Sequence, residues 1–352
     1  MLPGAGGRLV SLVPRLVVVV NQQEVHVHFR IRASAVLIAT VLMLALPAPG
    51  GAQTGKPMPR VGVLSPFIGS DNAFFETIRH RLQELGYVEG RSVSYIYRAA
   101  EDFDQLQTLA AEMVKLNVSV IVTAGPQGVR AARNATRTIP IVMGNVGDAV
   151  DQGFVATLAR PGGNVTGLSS LNTELSAKRL ELMKQTLPAL SRVAVLREAV
   201  GDATPLEAVQ RQARALGVGV QVFQIRDADE LPSAFAAMAD ARVGALEILP
   251  GSMFVSQLRR IVDLAATTRI PTIFADERFV RAGGLMSYGP DVLGLYARSA
   301  GYVDRILKGA NPASLPVEQP TAFTLAIHLG TAARLGITIP SGLLQRADLL
   351  VR

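Results

Sequence analysis

Residues able to do covalent or metal chemistry are scarce in this chain. It has no cysteine, which excludes a thiolate nucleophile, a thiolate metal site and a disulfide framework. Of its four histidines, His26 and His28 fall near the N-terminus, while His80 and His328 sit in no triad or metal-ligand motif. Beyond residue 52 there is no HExxH, GxSxG or P-loop pattern. We therefore expect no catalytic residue, no metal and no cofactor. What remains is the chemistry of recognition. Ser65, Phe67, Gly125, Gln127, Asn145 and Asp148 in one half of the chain, and Arg197, Ser252 and Asp276 in the other, each follow a short β-branched run. Arg197 is either a solvated surface residue or, at such a strand end, takes a carboxylate bidentately. Asp148 and Asp276 either meet an amino group or cap helices and pair with nearby arginines. Ser65 and Asn145 either touch a ligand or cap helices, and Phe67 either faces a ligand or closes the edge of a core. Tyr288, in a later extended stretch, either packs between the halves or stacks on a ligand.

These positions acquire meaning from the elements that carry them. The chain has 352 residues, 49% of them hydrophobic and 18% charged, so it is globular with room for one large core or two ordinary ones. Aromatics are only 5%, and the abundance of Ala, Val, Leu and Ile suits parallel sheets covered by helices. The runs VGVLS (61–65), SVSYIY (92–97), VSVIVTA (118–124) and IPIVMG (139–144) alternate with helical patterns, the last of them a short one near Val150–Leu158. A second set follows: helix 175–188, strand RVAVL (192–196), helix 204–216, strand 218–225, helix 229–240, strand 244–249, helix 253–268 and strand 271–275. Consecutive right-handed βα crossovers of this kind give an α/β protein of two doubly wound, parallel-sheet lobes. In open α/β sheets, ligands bind beyond the carboxyl ends of the strands, where helix N-termini aim free N–H groups into a crevice. That rule selects the residues named above.

The N-terminus has the three parts of an export signal: basic Arg30 and Arg32, an apolar run from Ala33 to Leu46, and a small-residue stretch from Pro47 to Ala52. A run of 14 apolar residues is short of the ~20 needed to span a bilayer, which favours cleavage near Ala52 over a permanent anchor. The 29 residues before Arg30 are unusual for a signal peptide and suggest a start near Val25 or Val27. Without a cysteine there is no lipid attachment at the mature end, so the product is expected to be freely soluble in the periplasm. Removing the leader takes away four arginines and one glutamate, leaving a net charge of about +4. The remaining arginines are scattered, no nucleic-acid-binding motif occurs, and nucleic acid is not expected as a partner.

The motif LARPGGNVTGLS (158–169) poses a separate question, because a paired glycine can cradle a phosphate. A dinucleotide loop must follow a strand and open a helix. Here the glycines follow a helical pattern and precede a strand-like run, so they are better read as a turn that ends a helix and redirects the chain. Two further extended passages, RAGGLMSYG (281–289) and ANPASLPVEQPTAFTLAI (310–327), accompany it. Three such passages around two lobes look like a hinge.

These segments also carry a resemblance. LGYVEGRSVSYIYR, IPIVMGNVGDAVDQGFVATLARPGGNVTGLS, ELSAKRLELMKQTLP, RAGGLMSYGPD and YVDRILKGANPASLPVEQPTAF resemble the substrate-binding-protein family of ABC transporters over nearly all of residues 60–352. Better known members of that family bind tryptophan and related aromatic amino acids. The resemblance implies the type I periplasmic binding-protein fold, with crossovers near 165–171, 276–286 and 312–320. It divides the chain into a leader (1–52), a first lobe (53–168 plus 285–312) and a second lobe (169–284 plus 313–352). It further implies an exported, monomeric solute-binding component of an ABC importer. Such a protein captures an amino acid or related carboxylate between its lobes and makes peripheral contact with an inner-membrane permease served by ATPase subunits. The same fold also serves in ligand-sensing periplasmic proteins that signal to a membrane receptor. Two departures stand at strand ends facing the cleft. Gly125-Pro126 replaces the family's Gly-Thr, and Arg197-Glu198-Ala199 replaces a Trp-Asn-Pro-like segment.

Overall fold

The computed structural model describes residues 57–66, 72–201 and 203–352. Met58–Arg352 form one compact unit. The expected leader with its cleavage point, and the candidate Phe67, lie outside the described residues.

The first sheet contains β1 (Arg60–Ser65), β2 (Ser94–Ala99), β3 (Val120–Thr123), β4 (Ile141–Gly147) and β5 (Val165–Ser170), all parallel in the order β2-β1-β3-β4-β5. Helices α1 (Ala73–Glu84), α2 (Gln105–Lys115) and α3 (Gly125–Ala135) link the first four strands. The strand period of two divides the apolar residues between the faces. Val61, Val63, Val120, Val122 and Val142 join Phe74, Ile78 and Leu82 of α1 in one core. Leu64, Ile121, Ile141 and Met143 join Leu106 and Met113 of α2 and Val129 of α3 in the other. Burial on both sides explains why these strands read as nearly continuous apolar runs.

The short helix expected near Val150–Leu158 does not form. Gly153, at φ +69°, breaks the pattern, and the local carbonyls accept turn hydrogen bonds, Asp148 from Gln152 and Ala149 from Phe154. The paired glycine ends no helix, since none directly precedes it; it lies in a bent connection to β5, with Gly162 at φ +79° and its N–H donated to Ala313 O at 3.1 Å. The later glycine of the same motif has the stricter role. A Cβ on Gly167, at φ +127°, would lie 2.3 Å from Met143 O, so β5 can pack this closely on β4 only as glycine.

The second sheet contains β6 (Arg192–Glu198), β7 (Gly219–Ile225), β8 (Ala245–Ile248), β9 (Thr272–Phe274), β10 (Met286–Gly289), β11 (Thr324–His328) and β12 (Leu349–Val351), in the order β12-β11-β10-β9-β8-β6-β7. Its pairs are parallel except β10 with β11. Helices α4 (Asn172–Thr186), α5 (Thr204–Leu216), α6 (Leu231–Asp240), α7 (Ser252–Ser256), α8 (Leu258–Thr268) and α9 (Glu277–Arg281) serve this sheet, two cores again forming on its faces. The single helix expected over 253–268 is two, divided at Gln257, whose ψ of 17° leaves the helical range.

The chain passes between lobes at places that differ from expectation. Met286–Gly289, expected in the first lobe, hydrogen-bonds between β9 and β11 in the second sheet. Only afterwards does α10 (Val292–Leu307) return to the first lobe, where Leu295, Tyr296, Ala300, Tyr302 and Val303 enter its core. Residues 313–318, expected in the second lobe, edge the first sheet: Ser169 donates to Glu318 O, Glu318 donates to Gly167 O, and the Tyr302 hydroxyl donates to Pro316 O at 2.6 Å. The last passage to the second lobe therefore lies after Glu318. Finally come β11, α11 (Leu329–Leu335), α12 (Ser341–Arg346) and β12.

Candidate functional site

At the carboxyl ends of the strands the two lobes face each other across a cavity of about 790 Å³, its open mouth included. Gly125-Pro126 at the start of α3, Asn145 on β4, and Val292 and Tyr296 on α10 form the first lobe's wall; Leu249 to Ser252, Phe254, Asp276, Arg278 and Phe279 form the second's. Most of this surface is apolar. Phe274 and Phe279 stack with centroids 4.5 Å apart, and Tyr296 meets Phe74 edge-on at 4.8 Å. A smaller chamber of about 490 Å³, its open mouth again included, adjoins it and shares Pro126, Gly147, Asn172 and Pro250 among its walls.

Gly125, Asn145, Ser252 and Asp276 line the main cavity, and Gln127 and Arg197 line the smaller chamber. Ser65, Asp148 and Tyr288 line neither. Ser65 is buried at the end of β1, where its carbonyl accepts the Ala100 N–H at 3.1 Å. The Asp148 carboxylate accepts the Thr173 hydroxyl at 2.5 Å. The Tyr288 ring lies 6.0 Å from Phe323 and its carbonyl accepts from Arg179, so it packs within the second lobe rather than between the lobes.

The polar groups in the main cavity have distinct states. Asp276 caps α9 by accepting the Arg278 N–H at 2.9 Å and holds the Arg278 guanidinium at 2.6 and 2.9 Å. Both structural roles weighed for this aspartate are thus observed, and the resulting pair also faces the cavity. Asn145 Oδ1 is buried without a partner, a state that costs free energy until a donor arrives. Gly125 has φ +65°, and a Cβ there would lie 2.7 Å from Ser252 Oγ, so the lobes approach closely here. The following Pro126 has no N–H, which removes one donor from the α3 terminus.

Beside this approach the lobes are joined by hydrogen bonds. Gln127 Nε2 donates across the cleft to Val200 O at 2.6 Å and to Glu198 Oε2 at 3.2 Å. Glu198 Oε1 accepts the Met253 N–H at 2.7 Å. Burial pushes the Glu198 carboxyl up to about 7, outweighing the hydrogen bonds from Met253, Phe254 and Gln127 that favour its ionised form. Beneath the second sheet's end, Arg179 and Glu247 form a fully buried ion pair at 3.1 Å; burial dominates here too and raises the Glu247 carboxyl.

Sequence reasoning missed Asn172, Arg278, Phe254, Phe279 and Tyr296. Arg278 carried a usable signal, standing two residues after a strand-end aspartate. The aromatic residues carried none, because a phenylalanine that faces a cavity and one that fills a core occupy the same helical positions.

Comparisons with known proteins agree with this architecture. The family model for ABC transporter substrate-binding proteins matches residues 67–351. A tyrosine-binding protein of Clostridioides difficile is 27% identical over 240 residues, which is 67% of this chain and 68% of the relative. An ABC domain from Streptococcus pneumoniae, solved in complex with L-Trp, is similar with a TM-score of 0.77 and 25% identity, over 83% of this chain and 99% of that one. A conserved domain protein of Vibrio cholerae gives a TM-score of 0.77 with 28% identity over the same shares. With its two α/β lobes in the type I periplasmic binding-protein fold, the chain belongs to the ABC transporter substrate-binding protein family.

Proposed function

We propose that this protein is exported, freed of its leader near Ala52, and works in the periplasm as a non-lipidated monomer. It captures an amino acid or related carboxylate in the cavity between its lobes and delivers it to an ABC permease with its ATPase subunits. It carries out no chemistry on the solute. The reading rests on one observation above all: a carboxylate–guanidinium pair, Asp276 with Arg278, stands in a cavity wall otherwise rich in Phe254, Phe274 and Phe279. An α-amino acid presents the complementary charges on an apolar body. The unpartnered Asn145 Oδ1 adds an acceptor for an amino group. The tyrosine-binding relative and the neighbour solved with L-Trp support the same class. Among the residues expected to bind, Gly125, Asn145, Ser252 and Asp276 then contact the solute. Gln127 joins the lobes, and Ser65, Asp148 and Tyr288 support the strands behind them.

The test is the thermal stability of the purified protein against amino acids, aromatic acids and related carboxylates. A solute at 100 times its dissociation constant adds about 2.7 kcal/mol to the folded state, which for a chain of this size raises the midpoint by roughly 4 °C. A rise confined to one chemical class identifies it. No rise across the panel, from protein first unfolded and refolded to release any resident solute, overturns the proposal.

A further inference from the structure

We propose that the smaller chamber is a second subsite, in which the Arg197 guanidinium receives an acidic group at the far end of the solute. The inference rests on the proposed function and deepens it. The solute is a compound with an apolar middle and two polar ends, one at Asp276 and Arg278, the other a carboxylate in the smaller chamber.

Three observations carry this. The chamber adjoins the main cavity, Pro126, Asn172 and Gly251 belonging to both linings, so an elongated molecule reaching past these residues would bring its far end to Arg197. Its cation is also only weakly engaged among the described residues. Arg197 stands at the end of β6, donates to Gly201 O at a long 3.4 Å, and has its Nε buried without a partner. No carboxylate pairs with it among the described residues. A guanidinium offers five donors in a rigid fork that matches a carboxylate bidentately, and a buried N–H left without an acceptor costs free energy. Finally, the adjacent acid is turned elsewhere. Glu198 spends its oxygens on Met253 N and Gln127 Nε2. With burial pushing its carboxyl up to about 7, it compensates the Arg197 charge only in part at neutral pH. A neutral carbonyl would satisfy one N–H, whereas a carboxylate satisfies the fork and the charge together.

The experiment uses two matched pairs of probes, L-phenylalanine with 4-carboxy-L-phenylalanine and hexanoate with hexanedioate. Each is titrated calorimetrically into the unsubstituted protein, R197Q and R197K, with circular dichroism to establish that the variants are folded. The readout is the affinity ratio within a pair, which a general loss of binding does not move. In the unsubstituted protein the second carboxylate should tighten binding about tenfold or more, the size expected of a charge-assisted hydrogen bond. The ratio should fall close to one in R197Q and stay intermediate in R197K, which keeps the charge and loses the fork. A ratio near one in the unsubstituted protein, or a ratio preserved in R197Q, overturns the subsite and leaves the proposed function standing. If neither member of either pair binds, the carboxylate class itself fails and the subsite falls with it.

Discussion

The replacement of Gln127 by alanine isolates the energetics of closure. Both hydrogens of its side-chain amide are spent on the opposite lobe, at 2.6 Å to Val200 O and 3.2 Å to Glu198 Oε2. A net worth of about 0.5–1.5 kcal/mol for each bond puts the pair at about 1–3 kcal/mol, all of it lost to the closed form. In the open form water replaces the amide at both acceptors, so little is lost there. A solute that binds by closing the lobes should therefore weaken by about 5- to 150-fold in Q127A. Because the penalty falls on closure, it should be the same factor for every solute of the class. Titration calorimetry on several solutes measures the factor, and small-angle scattering with and without solute shows whether more open molecules accompany it. A loss confined to one solute would mean that Gln127 touches the ligand directly. Unchanged affinity throughout would refute the closure reasoning.

Three other perturbations test separate parts of the structure. Glu198 has its carboxyl raised from 4.5 to about 7 in the folded state, so the folded protein binds more protons than the unfolded chain between those values. Its contribution to stability is complete below about pH 4.5, declines as pH rises to about 7 and is level above; chemical denaturation across this range should show E198Q flattening part of the slope, the remainder coming from Glu247, which is raised in the same direction. Replacing Gly125 with alanine puts a Cβ 2.7 Å from Ser252 Oγ at a φ of +65°. The left-handed backbone alone costs about 1–2 kcal/mol, scattering should show no compaction with solute, and S252A should restore part of it. Leaving Glu247 buried without its partner in R179M should destabilise the fold by about 3–5 kcal/mol in urea, while an R179M/E247L double replacement should recover most of that loss.

Local signals made much of the fold legible. Helix α5 is expected and found at Thr204–Leu216, because Pro205 opens it and Gly217 closes it at φ +65°. The strand cores are legible from the alternation of residues such as Val61 and Val63 with Leu64. Residues 150–158 misled because their apolar spacing suits a helix, while Gly153 and the turn bonds around it decide the backbone. Strand β10 was misplaced because nothing local distinguishes a strand that pairs with β9 from a linker that leaves the sheet. The candidate site was legible in part. Strand ends point to Gly125, Asn145, Ser252 and Asp276 from either lobe, since that rule needs only topology. The bond from Gln127 to Glu198 joins residues 71 apart in sequence across two lobes, and no short-range pattern encodes such a meeting.

Helix α10 sets a schedule as well as a shape. It supplies Leu295, Tyr296, Ala300 and Val303 to the first core, yet it is reached only after β6 to β10 have been made. No fragment that stops before Val292 holds a finished first lobe, and no single cleavage separates the lobes, since the polypeptide runs back and forth between them. At roughly 5–20 residues per second, the interval between the end of β5 and the end of α10 lasts on the order of ten seconds. Throughout it the valines of β1, β3 and β4 wait for part of their cover. The half that is synthesised first is thus finished late, and the chain stays incompletely folded for most of its synthesis.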